Sequence, residues 1–281
     1  MTGGRFVSVP SSDHCEPLIE GPHDKGALLS ELEQDLKQEG LHYVDFHSNV
    51  QFSTSLFRST RSYCFHLLDL RPDLKTLFQN CHKNSIQRKI RRAERENLVY
   101  ESGRSDRLLK DFLRLYALTR RRHRIPPQPG NWFRNLIRCF GESLTIRVAS
   151  KGDQPVAATL SIRHKDTVVF KYGCSDARHH NLGGTPLLFW KMIEESKGDG
   201  VTALDLGRSD LENEGLITFK DRLGANKSSL TYSRFAILHE PATVDKLGSQ
   251  VWKTRLDKHV LSHLPDRALY LIGYLLYRHI G

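Results

Sequence analysis

Apolar positions along the chain recur with two periods, two residues for strands and three to four for helices, and the switches between them mark the elements. Residues 5–10 (RFVSVP) alternate as a strand. From Asp24 to Gly40, Leu28, Leu29, Leu32 and Leu36 recur at helical spacing, and Gly40 stands where a helix would stop. Short strands follow at 41–46 and 63–70, and Pro72 opens the next helix. Residues 83–96 predict a very basic helix. Ser105 caps a helix running to about Arg122, with Leu108, Phe112, Leu115 and Leu118 as its stripe, and IPPQPG (125–130) breaks it. A helix through Trp132, Leu136, Ile137 and Phe140 ends at Gly141. Strands at 144–149, 156–162 and 167–172, with turns at Gly152-Asp153 and Lys165-Asp166, predict an antiparallel meander. A helix at 184–198, a strand at 201–206, a short helix near 216–222 and a strand at 229–238 follow. The tail from Asp245 reads as helical, interrupted at Pro265.

The stretch from Thr167 to Ala225 organises the rest. It runs from a strand through a polar turn and a Gly-Gly step into a helix, then to a second strand. A glycine turn feeding a helix N-terminus can hold an anion, because the first amides lack partners and the helix dipole favours negative charge there. Within Arg178-His179-His180-Asn181-Leu182-Gly183-Gly184, glycine would let the backbone approach a pyrophosphate and Arg178 would add a charged contact. A plain turn with a helix cap is the alternative. The same order of elements occurs twice. Phe6–Phe46 reads strand, Ser-Ser-Asp, helix, Gly-Leu-His-Tyr-Val-Asp-Phe, and Val168–Leu206 reads strand, Cys-Ser-Asp, helix, Gly-Val-Thr-Ala-Leu-Asp-Leu. This suggests a duplicated module whose first copy starts part-way, so that the ancestral form had a longer N-terminal stretch.

Length and charge sharpen the picture. With 281 residues, 38% of them hydrophobic, the chain can build one large domain or two small ones. Residues 1–70 hold 5 Lys/Arg against 10 Asp/Glu, and the remainder holds 37 against 22. A basic C-terminal three-quarters suggests an anionic partner: a phosphorylated donor, a nucleotide-linked substrate, tRNA or a membrane surface contacted peripherally. The helix at 83–96 carries Lys83, Arg88 and Arg92 among six cations, and Arg122 lies in the run Arg120-Arg121-Arg122-His123-Arg124. These could line a phosphate-rich ligand, or simply form a solvated face. No secretory h-region precedes the first strand, and Ala268–Ile280 is too short to span a bilayer. The five widely spaced cysteines fit reduced thiols in a cytoplasm. Fourteen histidines show no metal spacing, so no metal is expected.

From Ser105 onward the element order resembles the GNAT acyltransferase fold, and Arg178-x-x-Asn181-x-Gly183 is similar to a degraded acyl-CoA pyrophosphate loop. Asn181 stands where that loop usually has Gly. Tyr172-Gly173-Cys174-Ser175, Asp205-Leu206-Gly207-Arg208-Ser209, Phe219-Lys220-x-x-x-Gly224-Ala225 and FVSVPSSDHC near the N-terminus together look like the FemAB-like branch of GNAT proteins. That branch contains peptidoglycan-bridge aminoacyltransferases and relatives in polysaccharide gene clusters.

The resemblance implies an α/β (α+β) fold of tandem GNAT-like modules. A mixed central sheet would be flanked by helices, with a partial first module at 1–70 and an acyltransferase module at 71–281. It implies transfer of an acyl or aminoacyl group from acyl-CoA, acetyl-CoA foremost, or aminoacyl-tRNA to an amine on an envelope or polysaccharide precursor. Lys220 would steady an oxyanion, Asp205 would hold or deprotonate the amine, Arg208 would grip an anionic group, and Tyr172 would shuttle a proton. Gly173, Cys174, Arg178, Asn181, Gly183 and Gly184 would hold the donor, and Lys83, Arg88, Arg92 and Arg122 the acceptor. The alternative from another class is a non-catalytic module that binds tRNA or an anionic glycan.

Overall fold

The computed structural model describes residues 5–9, 12–50, 52, 54–237 and 266–277. Its frame is a nine-stranded mixed sheet. The strands in chain order are β1 (Phe6–Val7), β2 (Tyr43–Phe46), β3 (Phe57–Asp69), β4 (Val99–Gly103), β5 (Leu144–Lys151), β6 (Gln154–His164), β7 (Thr167–Ser175), β8 (Ala203–Ser209) and β9 (Asn226–Ala236). Their order across the sheet is β1-β2-β9-β3-β8-β7-β6-β5-β4. Two neighbouring pairs, β1/β2 and β7/β8, are parallel, and the rest are antiparallel.

Each parallel pair is joined by one crossover helix, α1 (Pro22–Gln38) for β1/β2 and α6 (Gly184–Gly198) for β7/β8. The strand that follows each unit in sequence lands beside the other unit. β3 pairs with β8, and β9 pairs with β2. The middle of the sheet thus reads β1-β2-β9 against β7-β8-β3, with β3 and β9 antiparallel at the junction. One sheet takes strands from both sides of residue 70.

One face of the sheet is covered by α2 (Leu74–Asn80), α3 (Arg88–Arg95), α6 and α7 (Glu214–Arg222), whose Leu77, Ile90, Ala93, Met192 and Ile193 pack with Leu68, Val168 and Leu204. The other face carries α4 (Asp106–Arg122) and α5 (Gly130–Phe140), where Phe112, Leu115, Tyr116 and Phe133 meet Leu144, Ile146, Leu160 and Cys174. A third cluster joins Leu36 of α1 to Val44, Phe46 and Phe235. A last described helix, α8 (Asp266–Tyr277), lies against α4, with the Tyr270 hydroxyl donating to the Leu113 carbonyl at 2.8 Å.

Local chemistry explains where pattern reading succeeds. Ser105 accepts the Leu108 amide at 3.3 Å and starts α4 as expected. Helix α6 has the expected bounds. Four expectations change. The strand at 63–70 begins at Phe57, because its outer half is polar edge pairing with β9. Asp73, not Pro72, caps α2 by accepting the Thr76 amide at 2.8 Å. The basic helix opens with a π-turn over Lys83–Gln87, where the Gln87 side chain donates to the Cys81 carbonyl at 2.7 Å and His82 Nδ1 accepts the Ser85 amide at 3.2 Å. Strand β4 goes unseen because polar Glu101 and Ser102 break its alternation. The tail from Asp245 to Pro265 lies outside the described residues. Among the described residues no helix is long and apolar enough to cross a membrane.

Candidate active site

The site begins where β7 and β8 part. They pair only from Thr167 to Val169 against Ala203 to Asp205, yet β7 continues to Ser175 and β8 to Ser209. Two irregularities re-aim side chains around this split. In β7 the register against β6 shifts between Leu160 and Ser161, leaving Lys171 as the extra residue. Phe170 therefore packs with Phe189 on the α6 face, at 4.8 Å between ring centroids, while Tyr172 and Cys174 turn to the α4 face. In β8 the shift opposite His66/Leu67 makes Leu206 the extra residue, so Leu204 and Leu206 share one core and Asp205 points away from it.

Lys220 of α7 fixes the free end of β8. Its side chain is buried, and its ammonium donates to the Gly207 carbonyl at 3.0 Å, the Arg208 carbonyl at 3.2 Å and Ser209 Oγ at 2.9 Å. An ammonium has three hydrogens, and all three are engaged. Burial lowers its pKa to about 8. The resemblance gave Lys220 an oxyanion to stabilise; in this structure its hydrogens are engaged by the end of β8.

A polar cluster lies on the side to which Asp205 points. Asp205 is 4% exposed and accepts the Gly207 amide at 2.7 Å through Oδ1. Its other oxygen bonds His14 Nε2 at 2.7 Å. His14 comes from the loop after β1, and its ring meets Phe65 edge-on at 5.0 Å. The Asp205 hydrogen bond raises the His14 pKa above its ordinary 6.5, against the opposing effect of burial. Asp13 takes the Arg208 amide at 3.4 Å, and the Arg208 guanidinium stands 3.7 Å from the same carboxylate. That guanidinium lies 3.9 Å from the Tyr63 ring centroid and 5.1 Å from that of Tyr232. Tyr232 donates to the Asp13 carbonyl and stacks on His47 at 4.1 Å. Sequence reading named Asp205 and Arg208 but gave no role to His14, Asp13, Tyr63 or His47, although the Asp-His pair stood inside a quoted motif.

The expected donor residues are placed differently from one another. Gly183 has φ +82°, and a Cβ there would overlap the carbonyl oxygen of Lys89 on α3. A Cβ on Gly184 would press on Ala157 and Val156 at 3.2 Å. Both glycines are buried, and their lack of side chains lets α6 pack closely against α3 and the sheet. The Cys174 thiol is buried among Phe112 and Ala158, and burial pushes its pKa up, so only its backbone can meet a ligand. Gly173 is exposed beside the split, and the Phe170 ring lies across it at 2.8 Å from where a Cβ would stand. Asn181 is exposed. Arg178 is exposed but forks onto Asp176 at 2.7 and 3.1 Å, holding that carboxyl down to about 2. Tyr172 accepts from the Trp132 indole at 3.0 Å and packs on Phe133 and Tyr116, which makes it part of the α4/α5 aromatic core.

The expected substrate-binding cations lie on two elements, the end of α4 and the π-turn with α3. Arg122 donates to the Ser175 carbonyl at 3.3 Å, and His180 bonds Ser175 Oγ at 2.8 Å. Burial, then Arg122 and Lys89, lower the His180 pKa. Lys83, Arg88 and Arg92 are exposed on the π-turn and α3, with Arg92 3.8 Å from Glu96. Among the described residues no group of three His, Cys, Asp or Glu could hold a metal ion.

Residues 81–220, which span the split, α6, β8 and Lys220, match the acetyltransferase (GNAT) domain. The chain carries a GNAT acyltransferase domain. Its fold is shared with FemX, at 13% identity and a TM-score of 0.65 over 83% of this chain and 80% of that one. It is shared too with the C-terminal domain of a protein named as a lysylphosphatidylglycerol synthetase from Agrobacterium fabrum, at 13% identity and a TM-score of 0.59 over 80% and 77%. L-PGS from Bacillus licheniformis is similar at 13% identity and a TM-score of 0.56 over 81% and 78%. No curated protein sequence matches the chain significantly. The GNAT domain makes the protein an acyltransferase, and its match begins at Cys81, so strands β1 to β3 and the loop that carries Asp13 and His14 lie outside it.

Proposed function

We propose that this GNAT protein is an N-acyltransferase that moves an acyl or aminoacyl group from an activated donor to an amine on an envelope or polysaccharide precursor. The observation that carries the reading is the split between β7 and β8 beside a polar cluster. A split sheet leaves backbone groups of one strand unpaired at its edge, where a carbonyl can bind as an extra strand would. Exposed Gly173 on β7 and the end of β8 held by Lys220 flank that opening. The amine acceptor docks against this cluster, where Arg208 between Tyr63 and Tyr232 suits a sugar or an anionic group.

The donor's phosphates are gripped by side-chain cations, because the Gly183-Gly184 step is packed closely against α3 and the sheet. Arg122 and Arg178 provide that grip, with the exposed cations of α3 extending it. This wide basic surface favours aminoacyl-tRNA as donor, with acyl-CoA as the second reading because residues 81–220 match a family of acetyltransferases. The two β-α-β units are read as a duplicated pair at 1–70 and 71–281, acting in a reducing cytoplasm where the five cysteines stay free. Peripheral contact with an anionic membrane surface would suit the same cations.

Melting temperature tests the donor. Acetyl-CoA at millimolar concentration, or a hydrolysis-resistant alanyl-tRNA at micromolar concentration, raises the melting point, and Arg122→Glu removes the shift. Steep weakening between 50 and 200 mM salt marks the tRNA case. A chain that binds tRNA without discriminating charged from uncharged is a binding module and not a transferase, and one that binds neither overturns the donor reading.

A further inference from the structure

The polar cluster at the end of β8 holds one pair that the GNAT match does not explain, because half of it comes from outside the matched residues. His14 and Asp205 stand 191 residues apart in sequence and meet at 2.7 Å. Asp205 is held from a second side by the Gly207 amide, so the carboxylate cannot turn away. His14 is held against Phe65, yet its side chain remains 35% exposed. Its Nε2 faces Asp205, which fixes the tautomer with the hydrogen on Nε2 and the lone pair on Nδ1. Nδ1 has no hydrogen-bond partner among the described residues. A histidine anchored by a buried carboxylate through one nitrogen, with the other nitrogen open, is built to take up a proton.

We propose that His14 is the proton acceptor of the transfer reaction, with Asp205 as its positioning residue. The inference rests on the N-acyltransferase reading and names the base within it. The acceptor amine attacks the carbonyl carbon of the thioester or ester, forming the C–N bond as the C=O electron pair moves to oxygen. The proton leaves nitrogen for His14 Nδ1, and Asp205 stabilises the imidazolium. Collapse of the tetrahedral species breaks the C–S or C–O bond, and the leaving thiolate or alkoxide takes the proton back from His14. The amide, the free thiol or alcohol and neutral His14 result, so atoms and charge balance.

The charges around the ring agree with this role. Asp205 on β8 and Asp13 and Glu16 on the ring's own loop all favour the imidazolium. The nearest cations are committed elsewhere, Arg208 to Asp13 and Lys220 to the end of β8. Phe65 from β3 offers no charge.

Two measurements test the dyad separately from the donor. In the first, the imidazole of His14 is titrated by NMR in the free protein. The expected pKa lies above 6.5 with the Nε2–H tautomer, and Asp205→Asn lowers it. In the second, transfer to glucosamine from acetyl-CoA, or from alanyl-tRNA where that donor shifts the melting point, is followed against pH. Wild type shows an acid limb above pH 6.5. His14→Gln lowers the rate by about 10²–10³ and removes that limb, while the melting point and its donor-induced shift stay near wild type. Wild-type turnover and an unchanged limb in His14→Gln overturn the proposal, as does an imidazole pKa below 6.5 that Asp205→Asn leaves unmoved. If neither donor shifts the wild-type melting point, the donor reading fails, and the imidazole titration still decides the dyad.

Discussion

The carboxylate of Asp13 occupies the space that a β-carbon on Gly207 would need, with Asp13 Cγ only 3.5 Å from that position. Gly207 also has φ +71°, the left-handed region that side chains resist. Glycine here lets the loop after β1 lie directly on the end of β8. In Gly207→Ala the flexible carboxylate swings aside while the backbone strain remains. The expected loss is about 1–2 kcal/mol, read by urea denaturation, together with a weaker hold of Arg208. A variant as stable as wild type would show that the loop is not seated on Gly207.

Gly183 gives a harsher test. The atom in the way is the Lys89 carbonyl, which is backbone, with its carbon 2.9 Å from the added Cβ and φ already +82°. Neither α3 nor α6 can yield without repacking Ile90 and Ala93. Gly183→Ala is expected to cost about 2–4 kcal/mol, as overpacking adds to left-handed strain. If the glycine instead served only a phosphate, stability would hold and donor affinity alone would fall.

Removing the Lys220 ammonium strands the oxygens it serves. Lys220→Met leaves the Gly207 and Arg208 carbonyls and Ser209 Oγ without their donor, and the expected cost is about 2–4 kcal/mol by chemical denaturation. The pH dependence has a definite sign. With a folded pKa near 8 against an ordinary 10.5, the folded chain binds fewer protons than the unfolded chain between those values. The unfolding free energy therefore rises with pH across that window. Wild type should gain stability over Lys220→Met from pH 8 to pH 10.5, and the lysine 13Cε resonance should titrate near 8.

Thiol reactivity reports the core independently. Cys139 is exposed and Cys15 half-buried, while Cys64, Cys81 and Cys174 are buried, with burial pushing Cys81 up to about 11. Under native conditions a disulfide reagent should label Cys139 fast, Cys15 slowly and the other three only after unfolding. Fast labelling of Cys174 would mean that β7 is not packed on α4.

Much of this architecture was legible because its signals are local. Ser105 names its helix, and the meander from Leu144 to Ser175 declares itself by alternation and tight turns. The repeat of strand, helix and strand was visible as spacing between Asp13 and Asp45 and between Asp176 and Asp205. What was hidden depends on distant parts of the chain. Nothing near Gly183 in the sequence reveals that Lys89 will lie on it. His14 shows no periodicity and gains meaning only once Asp205 is beside it. The bulge at Lys171, which sends Phe170 and Tyr172 to opposite faces, leaves no mark in the pattern of hydrophobic residues.

The exchange of β3 and β9 between the two β-α-β units has a consequence for how the chain reaches this state. Neither unit can complete its own set of strands from contiguous sequence, since β2 waits for β9 and β8 for β3. The register that joins Tyr43 to Ala236 closes nearly the whole described chain into one loop, and such distant pairing forms late and slowly. The protein should therefore unfold as one cooperative body. Fragments produced by cutting an exposed loop such as 210–213 should remain associated through the interleaved strands until denaturant separates them.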